Sequence, residues 1–245
     1  MSTGPLGLHD TEHLARLAET KPPDITGRSK ELWLLPDDLC LVRLIPSLRS
    51  FTYGRDELVD ETGPLRLDFY ERAAARLTGA GIRCAFRGRV ARTMYLAEYR
   101  PAPPFEVIVK NVATGSTTRK YPGLFPDGQP LPRPVVKFDY RTDPEDQPIG
   151  EDYLRALDLP VDAMRERALA VNDVLRDWLS PLEVWDFCLI FGIGADGGLC
   201  LISEVSQDCM RLRHADGSPL DKDLFRDGRA GDEIVNQWKR AFDAL

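Results

Sequence analysis

Residues 185–212 read Trp-Asp-Phe-Cys-Leu-Ile-Phe-Gly-Ile-Gly-Ala-Asp-Gly-Gly-Leu-Cys-Leu-Ile-Ser-Glu-Val-Ser-Gln-Asp-Cys-Met-Arg-Leu. Two apolar runs flank Ala195-Asp196-Gly197-Gly198, a turn whose glycines supply the backbone freedom a tight reversal needs. The stretch predicts a hairpin over 184–206 and commits this half of the chain to sheet. Directly after it come a hydroxyl, a carboxylate and a guanidinium in Ser206-Gln207-Asp208-Cys209-Met210-Arg211, at a strand end where sites in mixed folds gather.

Length and charge bound the rest. A chain of 245 residues is enough for one large domain or two small ones around a real core. Hydrophobic content of 43% with 29% charged residues is ordinary globular composition. A net charge of −7 argues against general binding to nucleic-acid polymers, while leaving room for a local basic pocket. No apolar run approaches the length of a membrane span, and the first residues lack the charged-then-apolar order of a signal peptide, so a cytoplasmic protein is expected. The five cysteines, Cys40, Cys84, Cys188, Cys200 and Cys209, form no CxxC pair and read as reduced, mostly buried thiols.

Three segments are expected along the chain. Residues 1–23 read as a polar arm with a short helix from His13 to Glu19. The arm holds His9-Asp10-Thr11-Glu12-His13, formally a string some zinc proteases use, but the only other histidine is His214 and a solvated tail is the expectation. Residues 24–102 predict a smaller lobe: a hairpin around Pro36-Asp37-Asp38, an amphipathic helix over 64–78 with Leu65, Phe69, Ala73 and Leu77 four apart and Gly79 as its cap, and strands at 82–88 and 92–99. Pro101, Pro103 and Pro104 mark the boundary. Residues 103–245 predict a larger lobe with a strand over 105–112, a loop over 120–134, a helix over 162–179 and a closing helix from Asp232 carrying Val235, Trp238 and Phe242 on one face.

Candidate chemistry clusters in the second part. Lys110 ends a strand and Gly115-Ser116 opens the next turn, so a cation, a hydroxyl and free backbone N–H groups could cradle a phosphate. A solvated lysine is the competing reading for Lys110, a surface Asp–Arg pair for Asp208 and Arg211, and a solvated loop for the charged knot Asp221-Lys222-Asp223 with Arg226.

Taken together these segments resemble the SAICAR synthetase family, phosphoribosylaminoimidazole-succinocarboxamide synthases, from about Ile25 to Asp227. The resemblance begins at Gly27-Arg28-Ser29-Lys30, similar to the family's Gly-Lys-Ala-Lys turn. It is strongest over Val107-Ile108-Val109-Lys110-Asn111-Val112-Ala113-Thr114-Gly115-Ser116. It returns at Leu131-Pro132-Arg133-Pro134, Val171-Asn172-Asp173-Val174-Leu175, Asp186-Phe187 with Phe191-Gly192, Glu204-Val205-Ser206-Gln207-Asp208 with Arg211-Leu212, and Leu220-Asp221-Lys222-Asp223. It implies an α+β, two-lobed fold with a smaller antiparallel-sheet lobe, a larger mixed lobe and a cleft between them. It also implies a carbon–nitrogen ligase that joins aspartate to the carboxylate of an aminoimidazole ribonucleotide, with Mg-ATP neutralising the transferring phosphoryl group.

The departures from the family fall on one side. Its Asp-Phe-Lys-Leu-Glu-Phe-Gly is here Asp186-Phe187-Cys188-Leu189-Ile190-Phe191-Gly192, its magnesium-binding Asp-Glu is Ser203-Glu204, its Asp-Pro is Gln147-Pro148 with Arg141 for the preceding lysine, its Lys-Gly is Thr62-Gly63, and its Asp-bearing segment is Leu48-Arg49-Ser50-Phe51. Magnesium favours carboxylate oxygen, which Ile190 lacks. The ribonucleotide positions match. The resemblance therefore implies Lys110, Ser116 and Arg211 on the sugar phosphate, Ser206, Asp223 and Arg226 on the substrate, Asp208, Lys222 and Glu204 in the chemistry, and Gly27 and Lys30 as a remnant of the ATP side. No metal site is expected, Mg-ATP is expected to bind weakly or not at all, and no cofactor to be required. Cys188, Ile190 and Ser203 are expected to line the ATP-like cleft. Three readings stay open: a diverged enzyme of a purine-like nucleoside pathway of the coformycin/pentostatin type; a true ATP-dependent SAICAR synthetase with relocated ligands among Glu204, Asp208 and Asp186; and a non-catalytic nucleotide-binding partner protein. A phosphorylated ribonucleotide is the expected ligand, with no nucleic-acid polymer and no membrane, and the protein is expected to be a homo-oligomer.

Overall fold

The computed structural model describes residues 11–50, 54–143, 145–194 and 197–243. The first helix, α1 (Thr11–Thr20), precedes five strands, β1 (Ile25–Thr26), β2 (Lys30–Leu35), β3 (Leu39–Leu44), β4 (Ser47–Ser50) and β5 (Arg55–Leu58). Helix α2 (Thr62–Gly79) leads to β6 (Phe86–Ala91), β7 (Met94–Glu98) and β8 (Phe105–Ala113). Then come α3 (Ser116–Lys120), β9 (Gln129–Tyr140), β10 (Gln147–Pro148), α4 (Glu151–Arg155) and α5 (Val161–Leu179). The chain closes with β11 (Glu183–Leu189), β12 (Phe191–Ile193), β13 (Leu199–Leu201), β14 (Met210–Arg213), α6 (Asp223–Arg226) and α7 (Gly231–Asp243).

Two antiparallel sheets divide the molecule. The first runs β1-β2-β3-β7-β6 and the second β10-β9-β8-β11-β14, with short ribbons β4-β5 and β12-β13 beside them. The prolines at 101, 103 and 104 lie between β7 and β8, where the chain passes from one sheet to the other. Helix α2 buries Leu65, Phe69, Ala73 and Leu77 together with Leu67, Tyr70 and Ala74. Its apolar stripe is wide because one continuous core joins it to β3, β8, α5 and β11. Fully burying each such side chain is worth about 1.5–3 kcal/mol before entropy is counted, so this shared core holds the two sheets at a set spacing.

Several expectations are corrected. The strand placed at 82–88 begins only at Phe86; Cys84 instead makes a parallel bridge to Leu201. The reversal after α2 uses Gly81, at φ 77, rather than Gly79. The long loop is shorter than 120–134, because α3 occupies its start and Pro130, Pro132 and Pro134 belong to β9. Proline lacks the ladder donor, and this part of β9 pairs only with β8, while β10 reaches just Tyr140 and Asp139. The second half of the hairpin, expected in the large sheet over 199–205, pairs with β12 and bridges to Cys84 instead, because β14 takes the edge of β11 through Asp186↔Arg211 and Phe187↔Met210. Ala195 and Asp196 of its turn lie outside the described residues. Helix α7, expected around the large sheet, packs Ile234, Val235 and Trp238 against Leu48, Val59 and Leu65, since α5 already covers the β8–β11 face.

The arm is not simply solvated. Helix α1 buries Ala18 and sets Leu14 and Leu17 against Trp33 and Leu41, and the Trp33 indole N–H donates to the Lys21 carbonyl at 2.8 Å. His9 and Asp10 lie outside the described residues. Among the described residues no group of three His, Cys, Asp or Glu side chains converges for a metal, and no helix is long and apolar enough to cross a membrane. All five cysteines are free thiols.

Candidate functional site

The site is built on three adjacent strands of the second sheet. Antiparallel register sets Lys110 of β8 opposite Asp186 of β11, and Asp186 opposite Arg211 of β14. The Lys110 ammonium donates to Asp186 Oδ2 at 2.6 Å and the Arg211 Nη1 to the same oxygen at 2.8 Å, so both lie within the reach of one ligand. Lys110 is 3% exposed and also donates to the Thr114 carbonyl, which excludes the solvated-lysine reading. Burial pushes Lys110 down and outweighs Asp186, while burial of Asp186 is outweighed by Arg211 and Lys110, which hold its carboxyl below the usual range.

Arg211 is a branch point. Its Nε donates to Asp223 Oδ2 at 2.9 Å, and Asp223 also receives Arg213 and Arg226. Burial would raise Asp223, but Arg211, Arg226 and Arg213 lower it to about 2. Arg213 in turn reaches Asp221, which is fully buried and accepts the Leu212 and Asp223 backbone N–H groups at 2.7 Å each. The knot at 221–226 is therefore no solvated loop. The third Arg211 nitrogen, Nη2, lies 2.6 Å from where a Cβ on Gly115 would stand. Gly115 sits at φ 60, a conformation glycine adopts without penalty, and that close approach aims the guanidinium at the start of α3.

Three connected cavities follow these strands. One of 160 Å³ is lined by Glu106, Lys110, Ser116, Asp208, Arg211 and Cys188 among others. A larger one of 810 Å³ is lined by Gly27, Lys30, Arg49, Arg141, Glu106 and Ile190 among others. The third, of 560 Å³, includes Ser116, Arg211, Asp223 and Trp185. Arg226 lines all three. Lys110, Ser116, Arg211, Asp208 and Arg226 thus come together at one cavity, with Asp223 directly behind. Lys222 pairs with Asp208 at 2.8 Å and Arg211 with Asp186 and Asp223, so the competing reading of a surface Asp208–Arg211 pair does not hold. Of the three residues expected along an ATP-like cleft, Ile190 lines the 810 Å³ cavity, Cys188 turns to the smaller one, and the Ser203 hydroxyl accepts the Ile190 N–H at 3.0 Å.

Glu204 and Ser206 line none of these cavities. Ser206 is fully buried and its hydroxyl donates to Glu204 Oε1 at 2.7 Å. Arg66 of α2, fully buried, forks onto both Glu204 oxygens at 2.7 and 2.8 Å, and Lys30 approaches at 3.1 Å. Burial alone would raise Glu204; Arg66 and Lys30 reverse this and hold its carboxyl far below the usual range. Gly27 donates its N–H to the Lys30 carbonyl at 2.8 Å and so shapes the turn that aims Lys30 inward. Sequence reading missed Arg66. An arginine between Leu65 and Leu67 on an otherwise apolar helix face is the signal that could have found it.

Magnesium does not fit this donor set. It needs several oxygen ligands at short range. Ile190 offers none, Ser203 is turned to the backbone, and Glu204 is fully engaged by two cations. The structure is thus a two-lobed α+β fold with a cation-rich groove between its sheets. The SAICAR synthetase family model matches residues 25–244, and the chain belongs to this family of carbon–nitrogen ligases. It is 30% identical over 209 residues to the phosphoribosylaminoimidazole-succinocarboxamide synthase of Streptococcus thermophilus (strain CNRZ 1066), covering 82% of this chain and 88% of that one. Against the synthase of Methanopyrus kandleri it is 32% identical over 210 residues, covering 82% and 84%. A SAICAR synthetase in complex with ADP superposes with a TM-score of 0.83 at 27% identity over 89% of this chain and 95% of that one. The Pyrococcus horikoshii enzyme gives 0.80 at 27% over 87% and 96%.

Proposed function

We propose that this member of the family acts on a phosphoribosyl nucleotide of the aminoimidazole or purine type without Mg-ATP ligation, in a purine-like nucleoside pathway of the coformycin/pentostatin type. One observation carries the loss of ligation: the surviving carboxylate of the magnesium pair, Glu204, is neutralised by Arg66 and Lys30, and Ile190 stands where the second acid would be. In this reading residues 103–245 bind the ribonucleotide, with Lys110, Ser116 and Arg211 at its phosphate and Asp208, Ser206, Asp223, Lys222 and Arg226 around it, and residues 24–102 form the former ATP side with Gly27 and Lys30. Lys110 acts by holding Asp186 and Arg211 in place, and Arg211 Nη2 and Arg226 supply the outward donors. The assignment to a nucleoside pathway rests on the sequence resemblance, and a cytoplasmic homo-oligomer is part of the same proposal.

A second reading is favoured by the relatives, which are named as phosphoribosylaminoimidazole-succinocarboxamide synthases, one family structure holding ADP. It makes this chain an ATP-dependent ligase of purine biosynthesis. The deciding experiment incubates the pure protein with the aminoimidazole carboxylate ribonucleotide, aspartate and Mg-ATP, following ADP and the succinocarboxamide. Tight ribonucleotide binding without ADP is the expected result. Turnover near about 1 s⁻¹ or above would establish the second reading. Binding with no reaction of any phosphoribosyl intermediate would leave a nucleotide-binding partner protein.

A further inference from the structure

Glu106 lies on β8 in step with Ile108 and Lys110, so the three line the 160 Å³ cavity from one face of the strand. Its side chain also lines the 810 Å³ cavity, at the junction of the two. Two other acids line the smaller cavity, and both are committed: Asp186 to Lys110 and Arg211, and Asp208 to Lys222. Glu106 has no ion pair among the described residues. Lys110, Arg211 and Arg226 share the smaller cavity with it but are paired with Asp186 and Asp223. Asp139 on β9 is the cross-strand partner of Glu106 and is itself tied to Lys137, Asp146 lies in the following loop, and the Cys188 thiol on β11, which donates to the Cys209 carbonyl at 3.6 Å, lines the same cavity. Arg141 attracts Glu106, while its own guanidinium donates to the Pro103 carbonyl at 2.5 Å. Burial, then Asp146, raise the Glu106 carboxyl above its ordinary 4.5, against Arg141 and Cys188. On the opposite flank the register places apolar Ile108 beside Cys188, with Ile190 beyond it at the wall of the larger cavity.

A carboxyl without a counter-ion at the meeting point of two cavities is equipped to exchange a proton rather than to hold a cation. We propose that Glu106 is the proton-transfer group of this site: its carboxylate takes one proton from an N–H or O–H of a ligand atom held at the junction, and the neutral acid returns one proton to the ligand or to water. No bond to the protein other than to hydrogen forms, and no metal takes part. The assignment rests on the reading that the groove holds a phosphoribosyl nucleotide.

Two measurements test it. Carbon-13 NMR of protein labelled at the glutamate carboxyls, ligand-free, is titrated for the wild type and Glu106→Gln. One resonance absent from the variant should titrate above the ordinary glutamate value, about 4.3; titration at or below that value overturns the proposal. Calorimetry with the aminoimidazole carboxylate ribonucleotide, near pH 5.5 in buffers of different ionisation heat, then counts protons exchanged on binding. The wild type should exchange a fraction of a proton that Glu106→Gln loses and Glu106→Asp restores in part. Binding with equal proton exchange in wild type and Glu106→Gln overturns the role of Glu106 alone. No binding to any of the three proteins overturns the nucleotide reading and this role with it.

Discussion

Two charge clusters sit a few residues apart in this molecule and are built in opposite ways. In the β8–β11–β14 cluster, Lys110, Arg211, Arg213 and Arg226 share Asp186, Asp221 and Asp223, and the Arg211 side chain is still 16% exposed. In the Glu204 corner, Arg66 and Lys30 close on one carboxylate and the Arg66 side chain is 1% exposed. Both carry an excess of cations over carboxylates. The difference lies in what remains for a ligand. The first cluster holds its guanidiniums by one edge and leaves donors at a cavity wall; the second engages both Glu204 oxygens and buries Arg66 in α2, leaving only the Lys30 ammonium at the larger cavity. Preorganised cations at a cavity favour an anion. A closed buried pair mainly sets geometry, and its net contribution to stability is small while both members are present.

The largest expected effect breaks the sealed corner. Arg66→Met leaves Glu204 buried without its fork, and chemical denaturation should show a loss of about 3–5 kcal/mol, with Arg66→Met/Glu204→Leu recovering much of it. A single variant as stable as the wild type would place this corner with the open cluster. Next, Arg211→Ala should weaken ribonucleotide binding by about 2–4 kcal/mol in calorimetry. Unchanged affinity would remove Arg211 from the phosphate site. Smaller again is Gly115→Ala. Its Cβ would meet Arg211 Nη2 at 2.6 Å, and the left-handed backbone adds roughly 1–2 kcal/mol of strain, so both stability and affinity should fall slightly.

The pH dependence should be the gentlest probe. Glu204 is held below the ordinary glutamate value of 4.5, so its contribution to stability is present above that value and is lost as pH falls through its lower folded value. Asp186 and Asp208, held below 3.8, act with the same sign. Lys30 is raised above 10.5, so its share is full below that value and lost at more alkaline pH. Denaturation curves across the acid range should show stability falling below about pH 4.5, and less steeply in Arg66→Met/Glu204→Leu. An equal acid slope in both proteins would show that Glu204 titrates as an ordinary exposed acid.

Much of this was legible from residue order. The four-apart spacing of Leu65, Phe69, Ala73 and Leu77 anticipated α2, and the run from Phe105 to Val112 anticipated β8, because periodicity records which face is buried. Gly115-Ser116 after Lys110 marked the turn that the structure sets against Arg211. Other features were hidden by their range. The prolines of β9 looked like a loop, since nothing local says that a strand edge is open. Leu199–Leu201 looked like a partner for the large sheet, since a strand pattern does not name its neighbour.

The sequence by itself determined the family, the α+β class and the uncharged side chains at Cys188, Ile190 and Ser203, all of which are matters of residue identity and order. Only the tertiary structure decided what the remaining charges do. Arg66 is 138 residues from Glu204, and Lys110 is 76 from Asp186. Whether a carboxylate is a free ligand or a sealed partner depends on which cation the fold delivers within 3 Å or so, and on how much water the packing removes. Register across β8, β11 and β14 and the burial of α2 made that delivery, which is why Glu204 and Asp186 came out neutralised and Glu106 did not.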